Sequence, residues 1–223
     1  VWINHHVVDD DGRKMSKSLG NIIDPHEIIE KYGAEPFRFW CAVEGDLSKT
    51  DFRCSFERIE GAGKTLTKLW NVCRFISMFP KPAAAPHDLQ ELDKWILNET
   101  ADLVSTTKKY YGRYNFHVPV VKIRTFVWET FASHYLELVK SRAYNNDGKF
   151  TNDESLSALH TMHTVIDTVL RLLCPVIPFE THILYKEMFS GDIHKTTFPG
   201  KIQRHKIKLR TDDIVELNSA IWK

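Results

Sequence analysis

Two lysines three positions apart, Lys14 and Lys17, stand in the run Lys14-Met15-Ser16-Lys17-Ser18, within a stretch rich in aspartate, glycine and serine. In a mobile loop, ammonium groups at that spacing can reach one phosphate group from the same side. Cations so placed stabilise charge building on departing phosphate oxygens, and do so more in the transition state than in the ground state. Flexibility suits the task, because such a loop can close on a nucleotide and open to release product. Five residues of this kind also occur in ordinary solvated loops, so the run alone decides little.

A second chemistry is spelled further along. No acidic residue lies between Asp102 and Glu129, whereas Lys108, Lys109, Arg113, Lys122 and Arg124 do, interleaved with Tyr110, Tyr111, Tyr114 and Phe116. Basic side chains neutralise phosphates and aromatic faces stack unpaired bases, which makes the stretch a candidate RNA surface. A solvated helix end with core tyrosines reads the same way. The basic tail is the other candidate: Lys201, Arg204, then Lys206-Ile207-Lys208-Leu209-Arg210 in alternation, which suits an exposed strand or a solvated edge.

Two motifs carry no chemistry. Gly61-Ala62-Gly63-Lys64-Thr65 mimics a phosphate-binding loop, but Arg58 stands where glycine is needed and the pattern around it is helical. His5-His6 has no acidic or cysteine partner at ligand spacing, and neighbours in a strand point to opposite faces, so no metal site is expected.

The elements that must position these groups follow from periodicity. After a short strand and the loop, Asp24-Pro25 with Glu27 predicts a capped helix start, Gly33 a stop, and Glu35-Pro36 a second short helix. Residues 45–55 read as a polar connector. Ile59, Ala62, Leu66, Leu69, Cys73 and Ile76 then mark a long amphipathic helix, ended by Pro80, Pro82 and Pro86. Asp88 with Glu91 predicts the next start, leading to Leu92, Ile96, Leu103, Tyr110 and Tyr114. Pro119 opens a third helix carrying Val127, Phe131, Tyr135 and Leu138. Thr151 and Glu154 form a capping box before Leu159, Met162, Ile166, Val169 and Leu173, and Pro175 and Pro178 precede a shorter helix to about Phe189. The prediction is mainly α: an up-and-down helical bundle preceded by a short α/β piece. Trp70, Trp95, Phe131 and Tyr135 are expected in its core, with Asn71 and Arg142 as buried polar struts.

Gly12 to Pro25 as a whole, with Leu19-Gly20-Asn21 after the lysines, resembles the signature loop of class I aminoacyl-tRNA synthetases. Arg58-Ile59-Glu60-Gly61, Lys68-Leu69-Trp70-Asn71, Asp93-Lys94-Trp95-Ile96-Leu97, Phe131 to Arg142 and Cys174-Pro175-Val176-Ile177-Pro178-Phe179-Glu180 are similar to segments of the anticodon bundle in the valine enzymes, with the isoleucine enzymes the nearest rivals. The resemblance covers nearly everything up to residue 200. It implies that residues 1–54 end a Rossmann catalytic domain, 55–190 form the anticodon-binding bundle and 191–223 a basic extension. Lys17 would be the principal ATP-phosphate lysine, assisted by Lys14, Met15, Ser16 and Ser18. RNA contacts would come from Lys108, Lys109, Arg113, Lys122, Arg124, Lys206, Lys208 and Arg210. The intact parent would activate valine with ATP and Mg2+ and charge tRNA(Val) in the cytoplasm, as a monomer. The His-x-Gly-His-type sequence, the valine pocket and the editing domain are not in this chain, so the piece alone is expected to be inactive. A free-standing RNA-binding or protein-interaction bundle is the alternative from another class.

Bulk properties fit these expectations. The 223 residues are 43% hydrophobic, enough for a sizeable core. Four dispersed cysteines without a C-x-x-C pair read as reduced thiols. No apolar run approaches the roughly 18 residues of a membrane helix, and a net charge of +1 leaves the partner to be read from charge distribution.

Overall fold

The computed structural model describes residues 6–46 and 51–221, and it is mainly helical. Strand β1 (Val7–Val8) pairs in parallel with β2 (Phe52–Arg53), Val7 opposite Phe52. β2 lies where periodicity predicts only a connector. It is too short to show alternation, and is held by burial of Phe52, whose ring meets Trp40 edge-on at 5.1 Å.

Helix α1 (Pro25–Tyr32) begins as expected: Asp24 accepts the His26 N–H at 2.8 Å and Pro25 occupies the first turn. Gly33, at φ 88°, takes a conformation that a side chain resists and turns the chain into α2 (Ala34–Glu44). The long α3 (Phe56–Ser77) buries the predicted stripe from Ile59 to Ile76. Two expectations on this helix fail. Trp70 is 42% exposed and Asn71 is exposed, because the buried arc stops at Leu69 and resumes at Val72. The false phosphate-loop motif lies inside α3, where Lys64 pairs with Glu60 at 2.9 Å.

Helix α4 (Glu91–Tyr111) starts later than the Asp88 cap predicts, with Gln90 at the cap position. The incoming chain is already engaged elsewhere: Asp153 accepts the His87 N–H at 3.0 Å and Ser157 Oγ accepts that of Gln90 at 3.0 Å. Next come α5 (His117–Thr125), a π-helical stretch (Phe126–Tyr135) and α6 (Leu136–Tyr144), which continue one another. Phe126 stacks on Phe131 five residues on, with ring centres 6.1 Å apart, as the wider turn allows. Helix α7 (Asn152–Leu173) carries the predicted capping box, Glu154 Oε2 accepting from Thr151 N–H at 2.8 Å and Thr151 Oγ1 from Glu154 N–H at 3.3 Å.

Inside the bundle, Asp93 is completely buried. Arg142 forks onto its two carboxylate oxygens at 2.7 Å each, Tyr135 donates to it at 2.7 Å, and Ser157 donates as well. Arg142 is therefore the buried strut expected, and it joins α4, the π stretch, α6 and α7. Trp95, Phe131 and Tyr135 lie in the core as predicted.

The Pro-x-x-Pro-Phe segment breaks α7 from α8 (Pro178–Phe189), and it is where α2 docks. Arg38 Nε donates to Val176 O at 2.8 Å, and Glu35 Oε2 accepts the Glu180 N–H at 3.1 Å in the first turn of α8. Burial, reinforced by the charge of Glu35, pushes the Glu180 carboxyl up to about 7; the Trp70 indole N–H opposes the shift. An unfolded chain releases this proton near the ordinary value of 4.5, before the folded one does. Stability from the neutral form is thus full below that value and lost as pH rises towards 7, by at most roughly 3 kcal/mol. Glu180→Gln is expected to flatten this fall in urea titrations run from about pH 5 to about pH 8. Parallel curves for variant and wild type would show that the carboxyl is not held neutral.

After α8, a short 3-10 turn (Ile193–Lys195) leads into an extended segment and then α9 (Thr211–Ile221). The alternation at 206–210 is real, but it does not make a strand. Ile202, Ile207 and Leu209 pack inward, and the Asn98 side chain stands in for a neighbouring strand, donating to His205 O and accepting from its N–H, each at 2.9 Å. All four cysteines are free thiols, and no helix among the described residues is long and apolar enough to cross a membrane.

Candidate functional site

Asp9 organises the lysine loop. Its carboxylate accepts from Arg13 N–H at 2.7 Å, from Arg13 Nε at 3.0 Å and from Asn21 Nδ2 at 2.8 Å. These bonds, that from Asn21 foremost, hold its carboxyl down at about 2. Gly12, at φ 81°, closes the turn with its N–H on Asp9 O at 2.9 Å. Asn21 also receives the Ser16 N–H on Oδ1 at 2.9 Å and donates to Lys14 O at 3.2 Å, so one asparagine spans the base of the loop. Lys14 bridges back to Val8. Ser16 caps a single 3-10 turn (Lys17–Leu19), with Oγ accepting the Leu19 N–H at 3.2 Å and lying 3.1 Å from Ser18 Oγ; Gly20 ends the turn at φ 64°.

Both lysines are exposed and neither forms an ion pair among the described residues. That leaves two uncommitted ammonium groups and two hydroxyls on a framed turn, a donor set suited to phosphate oxygens. Met15 is half-buried against the core and anchors the loop instead of lining its outer face. Asp9 and Asn21, which frame the loop, are residues that sequence reading did not single out. The hint available was a polar residue at each end of the loop, with no pattern to pair them.

The eight basic candidates are all exposed, but they do not form one cluster. Lys108 and Lys109 end α4, and Arg113 follows in the turn. Lys122 borders a cleft of about 260 Å3 between α4 and α5, lined also by Glu99, Asp102 and Thr106. The tail crosses α4 at the same place, where Arg204 pairs with Asp102 and Thr211 donates to Glu99 at 2.8 Å. Asp102 and Lys109 are two turns apart on one side of α4, about 10 Å. Lys108, Lys109, Arg113, Lys122 and the tail residues Lys206, Lys208 and Arg210 thus follow the length of α4. Arg124 departs from them, lying on the α3 side beside Thr65 and Leu69.

The interleaved aromatics divide too. Tyr111 is committed to structure: its hydroxyl donates to Leu172 O at 3.0 Å and its ring meets Phe116 at 4.9 Å. Tyr114, in a left-handed turn at φ 57°, is 74% exposed and is the ring best placed for stacking.

Comparison with known families is consistent with this arrangement. The family model described as the anticodon-binding domain of tRNA ligase matches residues 93–223. The chain belongs to that family. The model for class I tRNA synthetases (I, L, M and V) matches residues 1–53, which include the lysine loop. Among curated relatives, the valine–tRNA ligase of Aeropyrum pernix is 36% identical over 220 residues, 96% of this chain and 27% of the relative. That of Pyrobaculum aerophilum is 36% identical over the whole chain and 28% of its own length, and that of Nanoarchaeum equitans 33% identical. The chain thus spans little more than a quarter of the relatives it matches. A LeuRS from Agrobacterium radiobacter, solved in a ternary complex with tRNA and LeuAMS, shares the fold with a TM-score of 0.68 over 97% of this chain and 28% of that one, at 18% identity.

Proposed function

We propose that this chain is the part of a valine–tRNA ligase that holds tRNA(Val) by its anticodon arm and brings two lysines to the phosphates of ATP. The observation that carries the reading is the pairing of two devices in one body: an uncommitted Lys14 and Lys17 on a loop framed by Asp9 and Asn21, and a basic ridge along α4. The valine names of the relatives supply the amino acid.

In this reading residues 1–54 close the catalytic domain, 55–190 are the anticodon bundle and 191–223 an extension folded back onto α4. Lys17 and Lys14 stabilise the charge that builds on pyrophosphate as valine attacks the α-phosphate. Ser16 and Ser18 offer hydroxyls to the same oxygens. Any Mg2+ arrives on the nucleotide, as it commonly binds through substrate phosphates. Valine activation belongs to the intact ligase, and this chain alone does not perform it.

A titration of the chain with valine tRNA and isoleucine tRNA at several salt concentrations tests the proposal. Preferential binding of the valine tRNA is expected, with log K falling linearly in log salt, as phosphate contacts require. Equal binding of both tRNAs, or binding insensitive to salt, would defeat the assignment of the α4 ridge.

A further inference from the structure

Near the start of α8, two residues past the Glu35 contact at Glu180, three chain segments converge on a cluster unrelated to the lysine loop. Cys174 caps α7, His182 lies on the second turn of α8, and Asp192 and His194 belong to the short 3-10 turn. One donor atom from each of His182, Asp192 and His194 lies within 4.8 Å of the other two. The imidazoles of His182 and His194 stack nearly parallel, with ring centres 5.2 Å apart, and Cys174 Sγ is 3.6 Å from His194 Nδ1. We propose that Cys174, His182, Asp192 and His194 form a binding site for a borderline-soft divalent cation, with zinc as the type.

The atoms are arranged as ligands more than as hydrogen-bond partners. His182 Nδ1 is buried and has no hydrogen-bond partner, yet it lies only 3.4 Å from Asp192 Oδ1. A buried ring nitrogen facing a carboxylate oxygen without bonding to it is a costly arrangement for a protein to keep. A cation between them resolves it. One carboxylate, two imidazoles and one thiol are the donor types that zinc selects, in a number that completes a tetrahedron. Tetrahedral donors about 2.0–2.3 Å from a metal lie roughly 3.3–3.7 Å from one another. The donors of His182, Asp192 and His194 therefore have to contract by about an ångström, which rotation of the exposed His194 can supply, while Cys174 Sγ lies 3.6 Å from His194 Nδ1 and outside that group of three.

Asp192 Oδ1 also accepts the His194 N–H at 3.0 Å, which still leaves it a lone pair for the cation beside the neighbouring oxygen Oδ2. Lys195 Nζ lies 3.6 Å from that oxygen, but its side chain is mostly exposed and is free to swing away. The cation would staple the segment after α8 to the ends of both α7 and α8. Sequence reading weighed His5-His6 and the four dispersed cysteines for metal and expected a site at neither. Asp192-x-His194 is visible in the sequence, but nothing in the sequence places it beside His182 and Cys174.

The test is calorimetric titration of the chain with Zn2+, followed by thermal unfolding, for wild type, His182→Gln, His194→Gln and an exposed control, His87→Gln. One Zn2+ per chain and a raised Tm are expected in wild type and control. Affinity should fall by at least about 10-fold in either site variant, the loss that even outer-shell partners of a metal cause. His194 is exposed, so its variant is expected to fold normally without metal. Absence of binding in wild type, or wild-type affinity retained in both site variants, overturns the proposal. Co2+ decides the fourth ligand: a thiolate charge-transfer band that disappears in Cys174→Ser assigns it, and lack of the band removes Cys174 from the set.

Discussion

Alanine at Asp93 is expected to lower the stability of the chain by about 3–5 kcal/mol, the range found when one partner of a buried ion pair is removed. Asp93 is wholly shielded from water, and its partner Arg142 nearly so. Deleting the carboxylate strands a guanidinium whose one other bond among the described residues is to Glu154 O at 3.0 Å, and takes the acceptor away from the Tyr135 and Ser157 hydroxyl donors. The cost comes from groups left unpaired, so changing Asp93 to leucine and Arg142 to methionine together should cost much less than the alanine variant alone. By contrast, Lys64→Ala, which breaks an exposed pair one helical turn apart, should leave urea midpoints unchanged. If Asp93→Ala and Lys64→Ala denature alike, the buried network does not carry the bundle.

Under the proposed function, Lys17→Ala, introduced into the full-length parent, is expected to slow ATP–pyrophosphate exchange by about 10²–10³-fold, the usual loss when one preorganised transition-state donor is deleted. The effect should fall on kcat, because the ammonium meets charge that exists fully only as pyrophosphate departs. The side chain is exposed and makes no bond among the described residues, so the folded state should not change. Affinity for tRNA should also hold, whereas Lys122→Ala should weaken tRNA binding and reduce its salt slope. An exchange rate untouched by Lys17→Ala would take that lysine out of the chemistry.

What the sequence reveals of this fold follows physical lines. A stripe at three- and four-residue steps is a local signature, and α3, α4 and α7 carry it because each buries one face along its whole length. The Thr151 box was readable for the same reason, since all of its partners lie within four residues. Contacts between distant segments leave no such trace. Nothing near Asp88 announces that Asp153 will engage the backbone there. Helix α9 follows a basic, alternating tail whose docking depends on Asn98, Asp102 and Trp95. Trp70 was expected in the core on hydrophobicity, yet its position sits just beyond the buried arc. The lysine loop was legible because its residue types are its chemistry, while Asp9 and Asn21, which hold it, resemble any other loop polar residues.

The π-helical stretch from Phe126 to Tyr135 has a consequence for azimuth. Its wide turns advance the chain by less rotation per residue than an α-helix would, so every side chain beyond it arrives at a bearing that the first part of the rod does not dictate. Arg142 lies just past this dial. Its aim at Asp93 is set by where the wide turns begin and end, which makes these ten residues the phase adjuster of the bundle, and a single deletion there is a change of compass heading more than of length.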